Sequence, residues 1–364
     1  MEPRHVELLR TVLSQPVCPF HEEAVVEQAR AWAAGRGVDF SRDQAGNVLL
    51  RYRRGPARRP TWVFTAHMDH PGFLTKRQRG RSVWATFRGW VERPYMRGGP
   101  VRLFAPEGPV RATVAAIKPI GPQRWWACRL ELAEAADVPP GTIGMWDFPG
   151  FRRRGTRISA RGCDDLAGTV SVLCALDELA ERELDANVLG LLTRAEEAGF
   201  VGALAACRLG TIPRGALVVG IETSKAMPGA PLGGGAVIRV GDRMRTFEPL
   251  LTAHISAAAE RLSRQRPDLH YVRQLMPGGT CESTVYCAFA HQAAALCLPL
   301  GNYHNMGPGR RIAAERIDLD DFAALVALLV ALAVGEKTPA DTAAELRARL
   351  DGIWDRRNHF LRDG

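Results

Sequence analysis

Between Leu74 and Ile158 the chain carries only short alternating segments separated by Gly and Pro turns, whereas helical and strand patterns alternate on either side of that stretch. Segments such as Ser82 to Phe87, Val101 to Phe104, Arg111 to Ile117 and Trp125 to Leu130 have the period and punctuation of a small β-barrel or sandwich. Ahead of them, Val6 to Leu13 and Glu22 to Ala34 space their apolar residues as helices do, and Gly46 to Leu50 and Trp62 to Thr65 read as strands. Behind them, helices over Ala167 to Ala180, Val201 to Cys207, Ser283 to Ala290 and Leu319 to Ala333 interleave with strands over Val188 to Thr193, Ala216 to Ile221 and Ala293 to Leu298. Such alternation predicts a mostly parallel central sheet with helices on both faces. The expected division is an α/β domain from residues 1–73 and 159–335, an inserted β domain over 74–158, and a charged helical tail over 336–364.

Composition removes several classes. Hydrophobic residues make up 46% of the chain, which excludes a disordered protein. No apolar run reaches membrane-spanning length, and Met1-Glu2-Pro3-Arg4-His5 lacks the order of a signal peptide, so a cytoplasmic protein is expected. Eight scattered cysteines without a Cys-x-x-Cys pair point to reduced, buried thiols. The net charge of +9 is carried mostly by arginine, in clusters such as Arg51 to Arg59 and Arg152 to Arg154. These lie in loops with little aromatic interleaving, which favours a solvated or subunit-contact face over nucleic-acid binding.

The chemistry concentrates at predicted strand ends. His67-Met68-Asp69 follows the Trp62 to Thr65 strand, and the two-residue spacing puts Asp69 on the same face as His67, where it could orient the imidazole. Asp164-Asp165 precedes a helix, Glu196-Glu197 follows Leu191-Leu192-Thr193, Glu222 follows Val218 to Ile221, and His304 follows Leu298-Pro299-Leu300. Each has an ordinary explanation alone, as a helix cap, a first-turn acid or a surface group. Together they matter, because the carboxyl ends of strands in an open α/β sheet share one crevice. His67, Asp164, Glu197, Glu222 and His304 then offer nitrogen and carboxylate donors suited to two zinc-like ions sharing a bridging carboxylate, with Asp69 and Glu196 left over.

This set resembles the co-catalytic metallo-aminopeptidases of the glutamyl aminopeptidase family, which build tetrahedral particles and are sometimes described as endoglucanases. The likeness rests on His67-Met68-Asp69, Gly162 to Gly168, Glu196-Glu197-Ala198-Gly199-Phe200-Val201-Gly202-Ala203, Gly278-Gly279-Thr280 and Pro299 to His304. The 97 positions between His67 and Asp164 (164 minus 67) leave room for the β insertion at the place this family has it.

The resemblance implies a zinc-exopeptidase-like fold and two divalent ions, zinc first and cobalt or manganese next. His67 and Glu222 would ligate one ion, Glu197 and His304 the other, and Asp164 both. Glu196 would be the general base and Asp69 its catalytic neighbour, with Gly278, Gly279 and Thr280 near the substrate. Short peptides would lose their N-terminal residues, in a homo-oligomer ranging from a dimer to a dodecamer. It also implies a strained peptide bond beside Asp164. Glu222 and Cys281 stand where the family usually has aspartate, and Gly301-Asn302 where it has Arg-Tyr, so side-chain specificity is not carried over. The competing readings are a metal-dependent N-acyl amino acid deacylase and a noncatalytic assembly or nucleic-acid-binding descendant.

Overall fold

The structure is a computed structural model that describes residues 1–56, 60–121 and 125–361. Ala57, Arg58 and Arg59 of the first basic cluster lie outside the described residues. The chain opens with helices α1 (Pro3–Leu13) and α2 (Glu23–Arg36), then strands β1 (Asp39–Arg42), β2 (Val48–Arg54) and β3 (Trp62–His67). Strands β4 (Gly72–Arg79) and β5 (Ser82–Arg88), the short helix α3 (Arg93–Met96), then β6 (Pro100–Ala105), β7 (Gly108–Ile120), β8 (Trp125–Leu132) and β9 (Ile143–Trp146) follow. Next come β10 (Arg152–Arg154), β11 (Arg157–Ala160), α4 (Leu166–Glu181), β12 (Ala186–Thr193), α5 (Val201–Arg208) and β13 (Leu217–Lys225). The remainder is β14 (Ala236–Gly241), α6 (Pro249–Gln265), β15 (Tyr271–Leu275), α7 (Glu282–Ala288), β16 (Gln292–Leu300), β17 (Glu315–Asp318), α8 (Leu319–Val334) and α9 (Pro339–Arg357).

Eight strands form one sheet in the order β1-β2-β12-β3-β13-β16-β14-β15. Its middle, β12-β3-β13-β16, is parallel, while β1, β2 and the β16–β14 pairing are antiparallel, so the sheet is mixed toward its edges. The whole of β3 is buried because alternate side chains enter different cores. Trp62, Phe64 and Ala66 pack with α4 and α8 residues such as Leu173 and Leu328, whereas Val63 joins Ala203 of α5 and Val285 of α7 on the other face. This two-sided burial is what the near-continuous apolar run requires.

Strands β4 to β9 close into a barrel in the order β4-β5-β8-β7-β6-β9, so of the two expected forms the barrel is the one adopted. Phe73, Phe87 and Trp146 fill it, with ring centroids 4.8 Å (Phe73–Phe87) and 5.0 Å (Phe73–Trp146) apart. Strands β10 and β11 pair instead with β17, and Arg152 to Arg154 of β10 are exposed. Sequence patterning left 226–277 without an element; β14, α6 and β15 lie there. Helix α6 starts at Pro249 and is capped by the Glu248 carboxylate, which accepts from the Leu250 and Leu251 amides (3.1 and 2.5 Å). All eight cysteines are unpaired. Among the described residues, no helix is long and apolar enough to cross a membrane.

Helix α1 is tied to α4 by a buried carboxylate. Asp177 sits 2.5 Å from Arg4 Nε, 2.6 Å from Arg36 Nε and 3.2 Å from His5 Nε2. Burial alone would raise its pKa, but His5 and the two arginines outweigh that and hold it down at about 2. A depressed carboxylate stabilises the fold above its unfolded pKa, near ~4, and that contribution is lost as pH falls through the folded value. Asp177→Asn is therefore expected to destabilise the protein by about 2 kcal/mol at pH 7, a gap that closes between pH ~4 and pH ~2. Chemical denaturation of both proteins across that range checks this; an unchanged gap at pH 2 contradicts it.

Candidate metal centre

Strand β3 delivers His67 to the carboxyl end of the sheet, where its ring is 1% exposed. Its Nδ1 lies 3.1 Å from the Asp69 backbone carbonyl and 3.4 Å from that residue's carboxylate, so the main chain orients the ring more closely than the side chain does. The expected carboxylate–imidazole contact is present at 3.4 Å, although β3 ends at His67 and Asp69 lies beyond it. The Asp69 carboxylate has a second task. It accepts the backbone N–H of Glu196 at 2.9 Å and of Glu197 at 3.1 Å, fixing both glutamates through their main chain.

Asp164 lies between β11 and α4, and the bond to Asp165 is cis. Its amide and that of Cys163 donate to Glu315 (3.1 and 2.6 Å), and its carbonyl accepts from His70 Nδ1 at 2.6 Å. Asp165 accepts from Thr223 Oγ1 at 2.6 Å, and a Cβ on Gly168 would meet its carboxylate at 2.2 Å, so glycine is needed there. Glu196 and Glu197 occupy a single 3₁₀ turn after β12, entered through Ala195 at φ 51°. Glu222 was read as following a strand; β13 runs on to Lys225, and Glu222 lies within it because β16 pairs alongside through Leu300. His304 follows β16 at φ 50°, with Nδ1 donating to the Trp90 carbonyl at 2.6 Å.

These residues converge. His67 Nε2 lies 3.6 Å from Asp164 Oδ1 and 3.8 Å from both Glu196 Oε2 and Glu222 Oε1. On the other side, His304 Nε2 lies 3.1 Å from Glu197 Oε1 and 3.5 Å from Asp164 Oδ2. Donor atoms fall into two groups, His67/Glu196/Glu222 and Asp164/Glu197/His304, each within 4.8 Å. Asp164 turns one oxygen to each imidazole. Asp164, Glu196, Glu197, Glu222 and His304 line a cavity of about 370 Å³ with Trp90, Phe200, Thr280 and Tyr303, and His67 lies behind them. Thr280 also borders an adjoining cavity of about 360 Å³ with Gly278, Gly279, Arg239 and Met276.

Four carboxylates and two imidazoles in one buried cluster perturb one another. Burial would lower His67, but Glu196, Asp164, Asp69 and Glu222 raise it well above the usual imidazole range. Burial would lift Asp164, yet His304 and His67 hold it below the carboxylate range. Burial, with repulsion from neighbouring carboxylates, pushes Glu196 well up and Glu222 to about 7. His67 Nε2, Asp164 Oδ1 and Glu197 Oε1 are buried without hydrogen-bond partners, which folded proteins rarely tolerate without an ion or water. Orphaned nitrogen and carboxylate donors facing a common centre fit divalent cations. Sequence reasoning missed the supports Glu315, Trp90, Thr223 and Asn305, whose Oδ1 lies 3.0 Å from His70 Nε2, and which carry no motif; His70 stands beside His67-Met68-Asp69 and was within reach.

No curated protein matches the sequence. Solved structures do. A TET aminopeptidase from a marine sediment archaeon of the Thaumarchaeota is 16% identical, with 94% of this chain and 99% of that one covered and a TM-score of 0.77. An aminopeptidase from the archaeon Desulfurococcus kamchatkensis is 19% identical, over 94% and 97%, with a TM-score of 0.74. A Pyrococcus horikoshii TET1 peptidase, described as assembling into a tetrahedron or a large octahedral shell, is 20% identical over 90% and 99%, with a TM-score of 0.73. At such identities the likeness is one of fold. Residues 127–328 match the profile of the M42 glutamyl aminopeptidase family. That match spans more than half of the chain, which therefore belongs to the M42 glutamyl aminopeptidases, metallopeptidases that hydrolyse peptide bonds.

Proposed function

We propose that the chain is a dinuclear metal-dependent aminopeptidase that removes N-terminal residues from short peptides in the cytoplasm. The observation that carries this reading is Asp164, whose two oxygens lie 3.6 and 3.5 Å from His67 and His304. In this reading His67 and Glu222 hold one cation, Glu197 and His304 the other, and Asp164 is shared between them. Zinc suits these donors best, with cobalt or manganese also accepted. Two such cations, when bound, supply Lewis acidity that lowers the pKa of water and polarises a carbonyl.

The side chains do the rest. Glu196 lies in the cavity without being needed as a ligand, and it takes the proton from the attacking water and passes it to the departing amine. The cations and the nearby carboxylates would receive a free terminal amine, which an N-acylated terminus does not offer, and this sets the reading above a deacylase. Gly278, Gly279 and Thr280 border the adjoining cavity, the place for the first side chain of the substrate. Residues 74–158 form the inserted domain and partly roof the site. The assemblies described for the relative from Pyrococcus horikoshii support a homo-oligomer here as well.

Peptides and their N-acetylated copies, incubated with the protein before and after dialysis against chelator, test the reading. Free peptides should be trimmed from the amino end, activity should vanish on chelation, and added zinc, cobalt or manganese should restore it. Cleavage of the acetylated copies would sink the assignment. A smaller effect is expected at Asp69. Asp69→Asn loses one of the two backbone clamps on Glu196 and Glu197, and should lower kcat by about 10–100-fold while leaving the fold intact. Steady-state kinetics beside circular dichroism would measure it.

A further inference from the structure

Neither Trp90 nor Phe200 has a side chain that can ligate a cation, yet both border the metal-site cavity. Trp90 reaches it from the connection after β5 and is 41% exposed, although tryptophan is mostly buried in folded proteins. Its carbonyl accepts from His304 Nδ1 at 2.6 Å, and its ring meets the His304 ring edge-on with centroids 5.9 Å apart, so the indole is rooted beside the centre. Phe200 comes from the α/β part, as the residue before α5, with φ 60° in the left-handed region that bulky side chains rarely adopt. Its amide donates to the Glu196 carbonyl at 2.8 Å, which ties it to the turn that carries both glutamates. Gly89 and Gly199 stand next to the two rings, and this part of the cavity has no charged side chain of its own.

We propose that Trp90 and Phe200 form the subsite for the second residue of the peptide, and that this subsite takes a large apolar side chain, an aromatic one above all. The proposal rests on the aminopeptidase reading, in which the first side chain enters the adjoining cavity. That cavity shares Glu222, Thr280 and Tyr303 with the metal-site cavity but is bordered by neither Trp90 nor Phe200. A peptide whose first side chain lies past Glu222 has its scissile bond among the metal-site residues. The chain beyond that bond must then leave on the side that the two rings border. Its second side chain comes out of water against aromatic surface, and a ring gains there from edge-to-face or offset contact beyond the area it buries. A charged second residue would give up water without an opposite charge to meet. The carboxylates of the centre do not supply one, because Glu197 is turned to His304 at 3.1 Å and Glu196 to His67 at 3.8 Å.

Four tripeptides that share the fastest-cleaved N-terminal residue and a C-terminal glycine, with Phe, Gly, Lys or Glu in second place, test the subsite on the metal-loaded protein. The kcat/KM for Phe should exceed that for Gly by about 10- to 100-fold, the range an apolar side chain contributes in a hydrophobic pocket, and Trp90→Ala should bring the ratio below about 3-fold. That variant keeps the carbonyl that His304 needs, so the ratio reports on the ring and not on the centre. Trp90→Phe should restore most of the ratio, and Phe200→Ala should lower it independently. Equal values for Phe and Gly, a preference for Lys or Glu over Phe, or a ratio unchanged in both alanine variants would overturn the subsite and leave the aminopeptidase reading standing. Failure to trim any of the four peptides would remove both.

Discussion

Glu196→Gln is expected to lower kcat by about 10²- to 10⁴-fold, the range that general acid–base groups contribute, while leaving the metal content of the protein unchanged. The reasoning is geometric. Glutamine keeps the shape of the side chain and the Glu196 amide that Asp69 holds at 2.9 Å, but it cannot take a proton. Glu196 lies 3.8 Å from His67 Nε2, close enough to act on water in the cavity. Elemental analysis beside steady-state kinetics decides the matter. An unchanged rate removes Glu196 from the role of base. Loss of metal together with rate would make it a ligand instead, as its grouping with His67 and Glu222 permits.

The second large effect belongs to Asp164. Asp164→Ala removes the one carboxylate that faces both imidazoles, so neither cation should be retained at stoichiometric level. Metal content should fall from two ions per chain to below one, and activity by at least about 10³-fold, equivalent to ~4 kcal/mol of lost transition-state stabilisation. Because Asp164 is held by Glu315 and His70 through its main chain, the loop itself should persist without the carboxylate. Near-ultraviolet circular dichroism can confirm that. A variant that keeps two ions and full activity would end the dinuclear reading.

Much of this site was legible because its chemistry-bearing residues sit where strands stop. A strand buried on both faces must be apolar along its length, so a polar residue at its end, such as His67, stands out. The same logic found Glu197 and His304. It gave Glu222 correctly as a converging residue but ended its strand too soon, because a buried carboxylate inside a strand looks like a terminus when read alone. Asp69 illustrates the opposite limit. Its spacing from His67 was informative, but its carboxylate reaches across to the amides of Glu196 and Glu197, a contact over 127 and 128 positions that no local pattern contains. Glu315 was invisible for the same reason. The stretch 226–277 was missed for another: Gly233-Gly234-Gly235 reads as loop, yet a short strand and then α6 follow, announced only by Pro249 at the helix's first position.

The carbonyl of Trp90 that receives the His304 proton comes from the connection after β5, on the barrel side of the molecule, whereas His304 itself is carried by the central sheet. A cation held by this imidazole is thus a cross-brace between the two. Loading the site should stiffen their junction as well as arm the chemistry.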